Sequence, residues 1–228
     1  MVEFCCRNTG SFFFIMLQRV SFYIDGFNFY NGLKAKSAID RYWRKFYWIN
    51  FVEFCKQFLG PDQILEQVKY FTAPPLNVQK QKRQGKLFKA NRLLNPTKLE
   101  FVIGKYYKIN IDCPICNSTF QKPEEKRTDV NISVHLIGDC ALNKSDSLVL
   151  ISADSDLTPA VRFIKDNFPS KKIKIYFPPE RSSTDLFHAM SRKVVYLSNN
   201  KRKFERSVMP NTVQVGNQSV TIPTQWKT

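Results

Sequence analysis

The sequence predicts an α/β domain built on a parallel, doubly wound sheet, and three observations predict it. Short runs rich in β-branched and aromatic residues alternate with segments of helical period from Arg19 to Leu197. The run Ser147 to Ser152 is almost wholly apolar, as a strand covered on both faces must be. Two of the runs pass directly into aspartates, at the strand ends where open α/β sheets hold their ligands.

Taken in order, Arg19 to Ile24 is predicted as a buried strand ending at Asp25-Gly26, and Phe27 to Leu33 as a short helix. Arg41 to Trp48 is basic and aromatic, and Asn50 to Leu59 is a helix stopped by Gly60-Pro61. Ile64 to Phe71 is a second strand, residues 76–94 a polar, basic helix ending near Asn95-Pro96, and Leu99 to Tyr107 a third strand. Between Lys126 and Ala141, the residues Val130, Val134, Ile137 and Ala141 recur at helical spacing, which predicts a helix that buries this face. Ser147 to Ser152 is a fourth strand, running into Asp154 and Asp156. Leu157, Val161, Ile164 and Phe168 mark a helix, Lys172 to Phe177 a fifth strand, Asp185 to Met190 a short helix, and Val194 to Leu197 a sixth strand.

Beyond Ser198 the pattern stops. Lys201-Arg202-Lys203 is a basic cluster and Asn211 to Thr228 is polar, so residues 199–228 are expected to be a disordered tail. Residues 1–17 are expected to be a leader, disordered or preceding a true start at Met16. The domain is then 18–198, and a chain trimmed to 16–198 is expected to fold.

The composition narrows the partner. Among 228 residues, 35 Lys and Arg face 19 Asp and Glu, a formal net charge of +16, while 43% hydrophobic residues are enough to form a core. Such a field collects polyanions, nucleic acid first. The longest apolar run, Phe12 to Leu17, is far short of the roughly 20 residues that cross a bilayer. Six cysteines, two of them adjacent at Cys5 and Cys6, lack the density of a disulfide scaffold, so a cytoplasmic protein is expected.

If strands one and four are neighbours, Asp25, Asp129, Asp154 and Asp156 converge. Close carboxylates repel one another unless a cation neutralises them, and oxygen donors without Cys or His suit Mg²⁺ or Mn²⁺. Asp129 and Asp156 each also stand where a helix N-cap or first-turn acid would, which is a structural use. Asp25 and Asp154, directly after buried strands, have no such obvious use.

The runs YIDGFNFYNG at 23–32, EEKRTDVNISVHLI at 124–137 and SADSDLTPAVRFIKD at 152–166, followed by the KIKIYFPP strand, resemble the NYN domain family of PIN-like ribonucleases, the LabA-like group. The resemblance spans about residues 19–197 with its motifs in consistent order. It implies a PIN-like three-layer α/β/α fold, a central, mainly parallel sheet of about five or six strands, and metal-dependent hydrolysis of RNA that leaves a 5′-phosphate and a 3′-hydroxyl. Carried onto this chain it assigns Asp25, Asp129, Asp154 and Asp156 as catalytic metal-binding acids, with Asn28 and Ser152 as polar neighbours. Family members commonly have Gly-Val-Asp or Gly-Thr-Asp where this chain has Arg127-Thr128-Asp129, and an Asp where His135 stands.

RNA contacts are expected from Lys80, Lys82, Arg83, Lys86, Lys89 and Arg92, whose spacing lines up several on one helix face. A second set is Arg41, Arg44 and Lys45, interleaved with rings that could stack unpaired bases. Cys113 and Cys116 form half of a zinc-ribbon signature with no second half, so a reduced thiol pair is expected there ahead of Zn²⁺. Two alternatives remain open at this point: a non-catalytic RNA-binding module of the same fold, and a metal-dependent DNA nuclease or phosphatase. Asp25-Gly-Phe-Asn28 lacks the second aspartate of a haloacid-type phosphatase.

Overall fold

A computed structural model describes residues 16–112, 114–116 and 118–227 of the chain. Its elements begin with β1 (Gln18–Asp25), α1 (Gly26–Ile39), a 3-10 segment (Arg41–Tyr47), α2 (Phe51–Lys56), β2 (Gln63–Thr72), α3 (Val78–Leu94) and β3 (Leu99–Ile103). A hairpin of β4 (Lys105–Asp112) and β5 (Thr119–Lys126) leads into α4 (Thr128–Ala141) and β6 (Ser147–Ile151). A 3-10 turn (Ser155–Leu157), α5 (Thr158–Asn167), β7 (Lys172–Phe177), α6 (Thr184–Ala189) and β8 (Val194–Tyr196) follow.

The central sheet has six parallel strands in the order β3-β2-β1-β6-β7-β8. The chain builds outward from β1 to β3, returns to lay β6 beside β1, then builds the other way. That reversal is the switch point at which an open sheet leaves a cleft. The register Ile24↔Ile151 sets Asp25 and Ser152 side by side at its mouth.

Alternation along the strands divides the core into two. Phe22, Ile24, Val149, Ile151 and Tyr176 face one side, under α1, α2 and α3. Tyr23, Leu148, Leu150, Ile175 and Phe177 face the other, under α4, α5 and α6. Helices on both faces of the sheet make the three-layer α/β/α fold that the sequence predicts.

Three expectations are corrected. The third strand stops at Ile103, and the residues that follow leave the sheet to pair antiparallel, from Lys105↔Lys126 to Asp112↔Thr119. On α4 the buried residues are Thr128, Ile132, Leu136, Asp139 and Cys140, whereas Val130 and Val134 are 64% and 62% exposed. Two overlapping apolar stripes exist on this helix; the one centred on Ile132 and Leu136 lies over the sheet, and of the expected series Ile137 packs at its edge.

The segment 199–228, expected to be disordered, is folded as far as it is described. It forms α7 (Lys201–Glu205), a hairpin of β9 (Thr212–Val215) and β10 (Gln218–Thr221), and a last 3-10 turn (Thr224–Trp226). Phe204, Met209, Val213, Val220, Ile222 and Trp226 join the first core. Phe204 sits among Trp43, Phe46 and Phe54 with ring centroids at 5.2, 5.2 and 4.4 Å. The backbone is tied down as well: Asn50 N donates to Ser207 O at 2.8 Å, and Trp48 Nε1 donates to Pro210 O at 2.8 Å. Residues 1–15, most of the expected leader, lie outside the described residues.

Candidate active site

Asp25 is the last residue of β1 and the N-cap of α1. Its Oδ1 accepts from the backbone N–H groups of Phe27 (3.1 Å) and Asn28 (3.0 Å), two donors that a helix start otherwise leaves unpaired. Its Oδ2 accepts from Asn28 Nδ2 and from Ser152 Oγ, both at 2.7 Å. The carboxylate is 2% exposed, and burial pushes its pKa above the ordinary value. The bonds from Asn28 and Ser152 pull against that rise, and the neighbouring Asp154 adds to it. Gly26 allows the close start of α1: a Cβ there would stand 2.5 Å from Tyr70 Cε1 and 2.6 Å from the Phe71 carbonyl oxygen.

Asp154 follows β6 and caps the 3-10 turn, accepting from Asp156 N at 3.0 Å. The Ser152 hydroxyl donates to Asp25 and accepts from Asp154 N at 3.0 Å, so one buried side chain sets both acids. Asp129 lies in the first turn of α4. One carboxylate oxygen from each of Asp25, Asp129 and Asp154 lies within 4.8 Å of the other two. Asp156 does not belong to this trio; its side chain is exposed and its backbone N–H holds Asp154. Asp129 and Asp156 stand as first-turn acids, as expected, while the N-cap side chains are Asp25 and Asp154, and the same bonds that cap also aim these two acids.

Arg127, just before α4, has φ +82°. Only glycine adopts this left-handed region without strain, which gives a physical reason for the glycine that family members commonly have there.

The predicted RNA-contact residues separate into two groups. On α3, Lys80 and Arg83 turn toward α1 and line a cavity beside Gly26 and Phe27. Lys82, Lys86, Lys89 and Arg92 are exposed on other faces of the helix, with the Arg92 guanidinium 4.7 Å from the centroid of Phe101. Arg41 and Arg44 line a second cavity, while Lys45 sits 3.4 Å above the Tyr42 ring. Of the rings in this segment, Trp43, Phe46, Tyr47 and Trp48 are buried, which leaves only Tyr42 exposed, at 41%. Sequence reasoning missed Tyr30 and Trp226, which line both cavities; Tyr30 was visible as an aromatic one turn after Phe27.

Cys113 lies outside the described residues. Cys116 is exposed near the tip of the β4–β5 hairpin, with Sγ 2.9 Å from Ser118 Oγ. Cys55 and Cys140 are buried in the cores on opposite faces of the sheet. His135 contacts Lys69 Nζ through Nδ1 at 3.1 Å, beside a buried Lys69–Asp139 ion pair that also takes the Tyr23 hydroxyl.

The parallel sheet with both faces covered and three aspartates at its switch point is a PIN-like three-layer fold. The chain belongs to the NYN domain family, whose model matches residues 19–198. The crystal structure of a protein of unknown function from Vibrio parahaemolyticus RIMD 2210633 is similar in fold, with a TM-score of 0.51 and 18% identity over 80% of this chain and 94% of that one. No curated protein matches the chain. Among the described residues, no helix is long and apolar enough to cross a membrane.

Proposed function

We propose that this protein is a metal-dependent endoribonuclease that hydrolyses RNA phosphodiesters at Asp25, Asp129 and Asp154. The observation that carries the reading is the convergence of these three carboxylates, from three separate elements, at the β1/β6 switch point of a chain with net charge +16. Membership of the NYN family supports it.

The residues present fit a hard divalent cation, Mg²⁺ or Mn²⁺. All three side chains offer oxygen, and no Cys or His joins the cluster. Holding three carboxylates this close, one of them buried, is unfavourable without a neutralising charge. When bound, such an ion polarises the phosphoryl group and makes water a better nucleophile at neutral pH. Ser152 and Asn28 fix the orientation of the Asp25 carboxyl group, since both donate to the same oxygen. Those donors are side chains and can turn to free a lone pair, whereas the donors to Oδ1 are backbone and fix the carboxylate plane. Asp156 contributes through its backbone N–H, which orients Asp154. The products expected are a 5′-phosphate and a 3′-hydroxyl. A cytoplasmic setting accords with the buried, free cysteines 55 and 140.

The test is cleavage of labelled single-stranded and duplex RNA and DNA with Mn²⁺ or with EDTA. RNA is expected to be cut with Mn²⁺ and spared with EDTA. Asp154→Asn preserves the cap, because an amide oxygen still accepts from Asp156 N, yet removes one negative ligand. It should therefore lose cleavage with little change in melting temperature, and Asp156→Asn should retain more activity. Wild-type rates in Asp154→Asn would refute the metal-site reading. RNA binding without cleavage under any divalent ion would favour the non-catalytic module, and cleavage confined to DNA would move the substrate assignment.

A further inference from the structure

A cavity of about 360 Å³ is walled by Phe27, Tyr30, Phe88 and Trp226, with Lys80 and Arg83 among its polar lining. This is within the size range of ligand pockets, roughly 300–1,000 Å³. Gly26 and Phe27, the two residues that follow Asp25, form part of its wall, which sets the cavity at the start of the helix that Asp25 caps. A wider hollow of about 650 Å³ shares Tyr30, Arg83 and Trp226 with it and continues past Lys34, Arg41 and Arg44. No Asp or Glu among the described residues lines either hollow. Among the described residues, none of these five cations is held in an ion pair. Flat aromatic walls followed by a row of uncompensated cations are complementary to one unstacked base followed by phosphates.

We propose that the C-terminal segment completes a nucleotide pocket at the start of the helix that Asp25 caps, in which an unpaired base of single-stranded RNA stacks on the exposed Tyr30 against the wall that the buried Trp226 closes, while neighbouring phosphates follow Arg83 toward Arg44 and Arg41. The proposal rests on the nuclease reading for the identity of its ligand and deepens it: the substrate is single-stranded at this position, because a paired base keeps its faces covered by its stacked neighbours. Trp226 comes from beyond residues 19–198, the span of the family match, so this wall is supplied by the chain's own tail. Its ring is fixed by Tyr47, with centroids 5.8 Å apart, and Tyr47 in turn lies 5.5 Å from Tyr30. The pocket is thus held open by packing before any ligand arrives.

The experiment measures binding by the full chain, in EDTA so that no strand is cut, of a fluorescently labelled single-stranded oligouridylate and of a blunt RNA duplex. Tyr30→Ala should weaken the single strand about tenfold, the scale of one lost base–aromatic stack, and Trp226→Ala should weaken it by opening the wall behind that base. Trp226→Phe should restore most of the affinity, Arg83→Gln should weaken binding and flatten its salt dependence, and none of these should change duplex binding. Because Trp226→Ala also removes a core side chain, Tyr30→Ala is the deciding variant; Tyr30 is 37% exposed and lies outside both cores, and an unchanged melting temperature is expected to show that the fold is kept. Unchanged single-strand affinity in both Tyr30→Ala and Arg83→Gln, or equal losses for single strand and duplex, would overturn the pocket. Failure of the nuclease reading looks different: no cleavage with Mn²⁺ while the Tyr30 dependence persists would remove the enzyme and leave the pocket.

Discussion

Single aspartates do two jobs here, and the structure shows why sequence alone weighed them unevenly. A cap and a ligand ask for the same thing, an oxygen aimed at the open end of an element. Asp25 meets the helix start with Oδ1 and its side-chain donors with Oδ2, so its capping bonds and its place in the trio are compatible. The positions after strands one and four were legible from the pattern; which of the four acids would stand apart was not, since Asp154 and Asp156 differ only in where a short turn points them. Arg127 provides a sharper residue-scale prediction. Its left-handed backbone carries strain that glycine lacks, partly offset by glycine's greater freedom in the unfolded chain. Arg127→Gly is expected to raise stability by about 0.5 kcal/mol, read from a shifted denaturant midpoint at constant slope. A loss of stability would show that the Arg127 side chain holds the start of α4 more firmly than the strain opposes it.

At the scale of elements, the strands were readable because each buried one is nearly all apolar and ends at a turn or an acid, as Ser147–Ile151 does. Helix faces were harder. On α4, Val130 and Val134 stand two positions from a second apolar series, Ile132, Leu136 and Cys140, and spacing alone does not say which series meets the sheet. Side-chain size separates them, because the fully buried Ile132 and Leu136 fill the space over Tyr23 and Leu150. Leu136→Ala should therefore cost about 2–5 kcal/mol, while Val134→Ser should stay within about 0.5 kcal/mol; thermal or urea unfolding of the two variants measures the contrast. Equal costs would place the packed face where the spacing first put it. The third strand failed for a related reason. Tyr106 and Tyr107 look like its continuation, but the chain turns away after Ile103 and pairs those residues with β5, a partner too distant in sequence for local pattern to announce.

The whole molecule depends on a segment that composition had dismissed. Residues 199–228 hold few apolar side chains, and apart from the pair Val208-Met209 they are set between polar ones: one inward valine on β9, one on β10 with Ile222 just after it, a lone Phe204 on a basic helix, and Trp226 close to the end. Such spacing carries no visible period, although Gly216-Asn217 between the two short strands, with Gly216 at φ +56°, is a hairpin signal in its own right. What orders the segment is the surface it lands on. The 3-10 segment and α2 present Trp43, Phe46 and Phe54, and without Phe204 these rings would be left facing water. Deleting 199–228 removes six side chains from the core, each worth roughly 1.5–3 kcal/mol on burial. It also strips the partners of Asn50 N and Trp48 Nε1. The sum rivals the roughly 5–15 kcal/mol that holds a typical domain together. A chain of residues 16–198 is accordingly expected to be insoluble or to melt without a cooperative transition, contrary to what the sequence pattern implies for that boundary. Phe204→Ala in the full chain tests the same contact more gently, with an expected cost of about 3–5 kcal/mol. A trimmed chain that unfolds cooperatively within a few degrees of the full one would show that the tail only covers a core able to stand alone. In that case Trp226 would reach the nucleotide pocket as a loosely held flap, and single-strand affinity, unlike stability, would fall on trimming.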